Sequence, residues 1–379
     1  MFQKKNSHTT RRLVRLFLLA ILLATVILLQ VVPGWGDVYA QCIYPIVGEL
    51  LSDLSGPVPF AVGDLFIALS LVGVVAWPFY VRFQQKKKWR AGLAGSAEYL
   101  VWVYVWFYLA WGLNYAQSDF YRRTGIAPAE YTEADFRDFA RRYVEQLNEA
   151  YTPHTAVNPD VLRREVVVNY RHLAPGLGIH PPFDDRPQAK TMLFSPLASM
   201  VGVKGSMGPF FCEFTINGDV PPAEYPATYA HELAHLLGVA NEGEANFYAY
   251  LACTRTSIQA IRFSGLMSIL PHVLNNAYRL LSPEAYDALC RDIRPEVLRL
   301  ARESQDYWQG KYNRLVGDAQ SKLYELYLRG NRVEGGQKSY SQVVGLLIAY
   351  EKSRQATCSV LPHTSIHSNH LDSIVRPVI

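Results

Sequence analysis

Residues 225–253 read "YPATYAHELAHLLGVANEGEANFYAYLAC", two short helical patterns separated by a turn. On a helix, positions four apart lie one turn apart on the same face. His231 and His235 can therefore aim an imidazole nitrogen each at one cation. Glu232, beside the first of them, can reach a water on that cation without binding the cation itself. Two ligands and a general base on a single turn are the physical content of the His-Glu-x-x-His pattern. Leu233, Ala234, Leu236 and Leu237 mark this helix as buried. Burying two imidazoles and a carboxylate there without a partner would be costly.

A catalytic Zn2+ needs a third protein ligand and an open position for water. Gly238 is the expected helix terminator, and Asn241 opens the next helix. Glu242, at the start of that helix, is the expected third ligand. Glu244 is the alternative, although three residues after Asn241 it also occupies a capping-box position. Asn246, one turn beyond Glu242, is expected to orient a ligand from behind. Developing oxyanion charge calls for a further donor, and Tyr340 in "QKSYSQ" is the candidate. His272, His363, His367 and His370 are irregularly placed and read as surface or tail histidines.

Upstream, "GPFFCEFTINGDVPP" (residues 208–222) reads as a strand over 210–216 and a Gly-Asp turn leading into the histidine helix. That strand could hold an extended peptide as an added strand. "REVVVNYRHL" (164–173) reads as a strand followed by a turn at Pro175. "YTEADFRDFARRYVEQLNEA" (131–150) is an amphipathic helix capped by Thr132, with Asp135 three residues on. Beyond Cys253 the pattern is helical over 257–281, 283–303, about 312–328 and 339–353.

The first hundred residues differ in kind. Of 379 residues, 50% are hydrophobic and 18% charged, and the apolar ones concentrate in three runs: 13–32, 60–81 and 99–115. A membrane-crossing helix needs about 20 apolar residues, so two fit and the third is short. Its Trp and Tyr content suits a span anchored at the headgroup level. Lys4, Lys5, Arg11 and Arg12 precede the first run, and "RFQQKKKWR" separates the second from the third. Residues 33–59 hold no Lys or Arg. Positive charge stays cytoplasmic, which places the N-terminus in the cytoplasm and everything after Tyr115 outside. The net charge of +4 reflects topology, and no nucleic-acid partner is expected. Cys42, Cys212, Cys253, Cys290 and Cys358 form no CxxC pair and read as isolated thiols.

With these motifs in hand, the HExxH helix followed by a glutamate on a second helix resembles the gluzincin branch of the zincin metallopeptidases. The spacing from Glu242 to Asn246, E-x-x-A-N, is similar to the E-x-x-A-D of membrane proteases of the CAAX-processing and HtpX types, with Asn for Asp and a shorter gap after His235. More of the chain resembles an uncharacterised family of bacterial multi-span membrane proteins, a domain of unknown function. "VPFAVGDL", "GLNY", "NGDVPPAEYPATYAHELAH", "EANFYAYLAC" and "KSYSQVVGLL" carry that likeness. The family's aromatic-Asn-Pro-Phe-Thr-Gly-Glu stretch is replaced here by "GSMGPFFCEFTIN", where Glu213 keeps the acidic position.

The expected architecture is α+β and predominantly helical. A membrane region (1–116) precedes an extracytoplasmic zincin-like domain with a small sheet (117–355) and a loose tail (356–379). The expected function is Zn2+-dependent hydrolysis of a peptide or protein substrate at the cell membrane, with the lipid bilayer as the other partner. A membrane scaffold or sensor with a structural or lost zinc is the alternative. Such a site would have no need of Glu232 between its histidines.

Overall fold

The computed structural model describes residues 2–185, 187–331 and 342–360. Tyr340, His363, His367, His370 and the tail from residue 361 lie outside the described residues.

Three helices are long and apolar enough to cross a membrane: Thr10–Val31, Val62–Phe83 and Trp89–Ala110. The first belongs to α1 (Phe2–Val31). Short α2 (Trp35–Val38) and α3 (Tyr44–Ser55) follow, then α4 (Val62–Phe83) and α5 (Trp89–Ala110). The third span starts ten residues earlier than the apolar run suggests. Arg90 and Glu98 hide its beginning in the sequence. Small residues place it: a side-chain carbon at Gly92 would stand 2.6 Å from the Pro78 Cα, so α5 touches α4 backbone to backbone. Glu98 pairs with Arg15 of α1, with Nε 2.6 Å from Oε1. The span ends at Trp111, where φ of −155° leaves the helix for a 3-10 turn over Gly112–Ala116.

After α6 (Phe120–Thr124) comes α7 (Glu133–Ala150). Its Thr132/Asp135 capping box is fully formed. The segment expected as a strand is instead helix α8 (Pro159–Leu177). The Asn158 side chain caps it and Pro159 opens it, both strong helix-start signals. The three consecutive valines mislead because only two are inside: Val166, Val167, Tyr170, Leu173, Ala174 and Leu177 are buried at helical spacing. Pro175 sits inside the last turn, and Gly178, at φ 64°, ends the helix.

A three-stranded sheet follows: β1 (Lys190–Thr191), then α9 (Ser195–Met200), β2 (Gly205–Gly208) and β3 (Glu213–Ile216). The order is β1-β3-β2, with β1 parallel and β2 antiparallel to the central β3. The strand expected over 210–216 begins only at Glu213, because Cys212 has φ 45° and breaks the extended run. Since β3 is paired on both sides, it offers no edge to an added peptide; β2 does.

The rest is helical: α10 (Tyr225–Leu236), α11 (Glu242–Thr254), α12 (Gln259–Leu280), α13 (Pro283–Asp292), α14 (Pro295–Lys311), α15 (Arg314–Gly330) and α16 (Val343–Val360). One expected helix over 283–303 is two, divided at Ile293 just before Pro295. A single apolar core runs from Leu19, Val26 and Val105 of the spans through α7, α8 and α10–α12 to Ile348. Cys42, Cys212, Cys253 and Cys290 are free thiols.

Candidate metal centre

The buried helix α10 carries His231, Glu232 and His235. It stops at Leu237, and Gly238 adopts φ 91°, a left-handed conformation that glycine takes without strain. Its neighbours would resist a side chain as well: an added carbon would meet Tyr44 at 3.2 Å and Asn114 Oδ1 at 3.3 Å. The turn brings the Val239 carbonyl to 2.6 Å from His235 Nδ1. A carbonyl only accepts, so Nδ1 carries the proton and Nε2 presents its lone pair to the interior. Asn241 then caps α11 by accepting from the Glu244 N–H at 3.0 Å, which places Glu242 in the first turn.

Three donor atoms converge. His231 Nε2 and His235 Nε2 are 3.1 Å apart. Glu242 Oε2 is 3.2 Å from the first and 3.4 Å from the second. Ligands held at about 2.0–2.1 Å in a tetrahedral zinc site stand about 3.3 Å from one another. The donor chemistry, two imidazoles and one carboxylate, is also that of zinc. The residues present fit the ion.

Electrostatics agree with that geometry. Burial alone would lower the His235 imidazole, but the Glu242 carboxylate outweighs it and pushes His235 up to about 9. Burial alone would raise Glu242, yet the His235 and His231 charges hold it well below the usual carboxylate range. Without a cation, the cluster binds a proton in its place.

Glu232 lies against the start of β2. A side-chain carbon at Gly205 would come within 2.6 Å of the Glu232 Cγ, so a glycine there leaves the carboxylate its room. Glu232 is 4% exposed, and its Oε2 has no hydrogen-bond partner among the described residues. Burial raises its pKa, against the lowering effect of the two histidines. A buried carboxylate oxygen without a partner is expensive to maintain.

Glu244 is elsewhere. Its Oε2 pairs with Arg123 at 2.5 Å and its Oε1 accepts from the Phe120 N–H at 2.9 Å. It joins α11 to α6 and takes no part in the cluster. Asn246 lines the same cleft as the cluster but makes no hydrogen bond to His231, His235 or Glu242. Glu213, the retained acidic position, is buried against Lys190 at 2.5 Å and accepts from the Gly63 N–H of α4 at 2.5 Å.

A family model described as a protein of unknown function, DUF3810, matches residues 39–348. The chain belongs to the DUF3810 family. The match takes in two of the three apolar helices, the sheet, the cluster and most of the closing helices. No curated protein and no solved structure matches the chain.

Within this DUF3810 chain, several neighbours of the cluster carry no signal in the sequence. The Tyr324 hydroxyl on α15 donates to Glu242 Oε1 at 2.8 Å, and one tyrosine among 24 announces nothing. Trp111 donates to the His235 carbonyl at 2.9 Å. His272, read as a surface histidine, lines the cleft instead; burial and the nearby His231 both lower its pKa. The cleft measures ≈ 1750 Å³, with His231, Glu232, His235 and Glu242 in its wall.

Proposed function

We propose that this protein is a membrane-anchored zinc peptidase that hydrolyses an amide bond in the cleft. The observation that carries the reading is the convergence of His231 Nε2, His235 Nε2 and Glu242 Oε2 beside the buried, unpaired oxygen of Glu232. Zinc bound there would lower the pKa of a water toward 7 and polarise the substrate carbonyl.

The chain's own residues supply the rest. Glu232 Oε2, free of partners, accepts the proton of the attacking water and returns it to the leaving amine. Burial raises its pKa above the ordinary carboxylate value, which makes it a stronger base toward the water proton. His235 is fixed in one tautomer by Val239, and Glu242 is fixed by Tyr324, which leaves their ligating atoms no rotamer search. The free edge of β2, rather than β3, is where an extended substrate backbone would pair.

The spans orient the site. The α4–α5 hairpin puts the start of α4 and the end of α5 on one membrane face. The chain leaving α1 joins them there, since the Tyr39 hydroxyl donates to the Leu109 carbonyl at the end of α5 at 2.9 Å. Lys and Arg flank the opposite face, before residue 13 and over residues 82–90. By the positive-inside rule the cleft then stands outside the cytoplasm.

The test is zinc stoichiometry together with turnover on a peptide library, comparing wild type with Glu232→Gln. One zinc in both proteins is expected, with turnover at least a hundredfold lower in the variant. Equal turnover would overturn the base role, and absence of zinc in both would remove the peptidase.

A further inference from the structure

The β2 strand is pinned at both ends, and the two anchors differ. At its start, Gly205 packs on Glu232. At its end, a side-chain carbon on Gly208 would lie 3.2 Å from the Cγ of Glu213, the residue that holds Gly63 in the first turn of α4. Three residue steps separate these points, about 10 Å of strand. The link that follows rests on the spans themselves. The Phe210 ring is 4.9 Å from Phe66 of α4 and 6.1 Å from Phe107 of α5. The Phe210 carbonyl accepts from Trp106 Nε1 at 3.0 Å, and Phe211 meets Phe66 edge-on at 5.7 Å. Phe107, Trp111 and Tyr115, from the end of α5 and the turn after it, continue the cleft wall beside β2.

We infer that the substrate, on the peptidase reading above, is a polypeptide that itself crosses the same membrane and is cut in the extended segment bordering its membrane helix. A backbone paired along the β2 edge runs from the Glu232 carboxylate to the aromatic ends of α4 and α5 within about four residues. Trp and Tyr favour the headgroup level, so that end of the strand lies at the bilayer surface. A freely soluble chain would have to turn away there. A chain emerging from the bilayer is already aligned with the edge.

The test uses the full-length protein, zinc-loaded and reconstituted in liposomes. The reporter is a single transmembrane helix followed, on the cleft side, by a randomised stretch of some forty residues. A second library carries the same stretch without the helix. Cut positions are read by mass spectrometry. Anchoring alone raises local concentration, so position and not rate decides. Cuts gathered within about ten residues of the membrane boundary are expected, with few beyond about twenty. Cuts spread evenly along the anchored stretch, with the free library also cleaved, would overturn the inference and leave the peptidase standing. No cleavage in either library, with zinc bound, would overturn both.

Discussion

The indole N–H of Trp111, the residue that ends the third span, donates to the backbone carbonyl of His235 at 2.9 Å. The apolar helix α5 thus holds the end of the helix that bears the two clustered histidines. Both groups are buried, and Trp111→Phe removes one of the two donors to this carbonyl, leaving the Gly238 N–H at 3.0 Å. A cost of about 0.5–1.5 kcal/mol is expected, read as a lower unfolding temperature of the metal-free protein in nanodiscs. An unchanged unfolding temperature would show that the bond adds nothing to stability.

Glu242 and Glu244 are two residues apart and have different tasks. Glu242→Ala removes a ligand and is expected to weaken zinc binding at least a hundredfold while the protein stays folded. Glu244→Ala strands Arg123, itself nearly buried, and breaking a buried ion pair costs about 3–5 kcal/mol. Chelator competition and thermal unfolding, run on both variants, should give opposite patterns. Zinc loss in Glu244→Ala at temperatures where it remains folded would contradict the assignment.

On the zinc reading, Tyr324 acts by holding Glu242. Partners of this kind typically contribute tenfold to hundredfold in metal affinity. Tyr324→Phe should lose that much zinc affinity with little change in fold, measured by competition with a fluorescent chelator.

Gly205→Ala should behave in the reverse way. The added methyl presses on Glu232 and leaves the three ligands untouched. Zinc stoichiometry stays at one, and turnover falls, by an expected factor of ten or more.

Acidity couples to the metal. With His235 pushed up to about 9 by Glu242, zinc must displace a proton at neutral pH, so its affinity rises roughly tenfold per pH unit between about 7 and 8.5. The metal-free protein shows the matching sign. A raised histidine contributes stability that is fully present below its ordinary 6.5 and lost as pH rises through about 9. Glu242, held low, contributes stability present above its ordinary 4.5 and lost as pH falls through its depressed value. Metal-free stability should therefore decline between pH 6.5 and 9, as denaturant midpoints across that range would report.

The helical part of this architecture was legible because buried faces recur at helical spacing and caps are local: Thr132 with Asp135, Asn241 before Glu242. The three spans were legible from apolar length, except where glycines replace leucines as the packing device and let α5 begin among charges. The valine run 166–168 misled because β-branched residues favour strands while its cap lies several residues earlier, at Asn158. In the site, His231 and His235 were legible from one helical turn, and the next cap narrowed the third position to Glu242 or Glu244. Which of two glutamates turns inward depends on Arg123, more than a hundred residues away, and no local pattern carries that. Tyr324, Trp111 and the exposed edge of β2 were hidden for the same reason.

The buried clasp of Lys190, Glu213 and Gly63 has a practical corollary. Cutting the chain after its spans would leave Glu213 without the Gly63 amide, take from Lys190 the Ser55 carbonyl it reaches at 2.8 Å, and bare the side of α10 that Tyr44 and Trp111 now cover. The half that carries the cluster is not a passenger that can be detached and studied in plain buffer; the apolar helices are part of its scaffold.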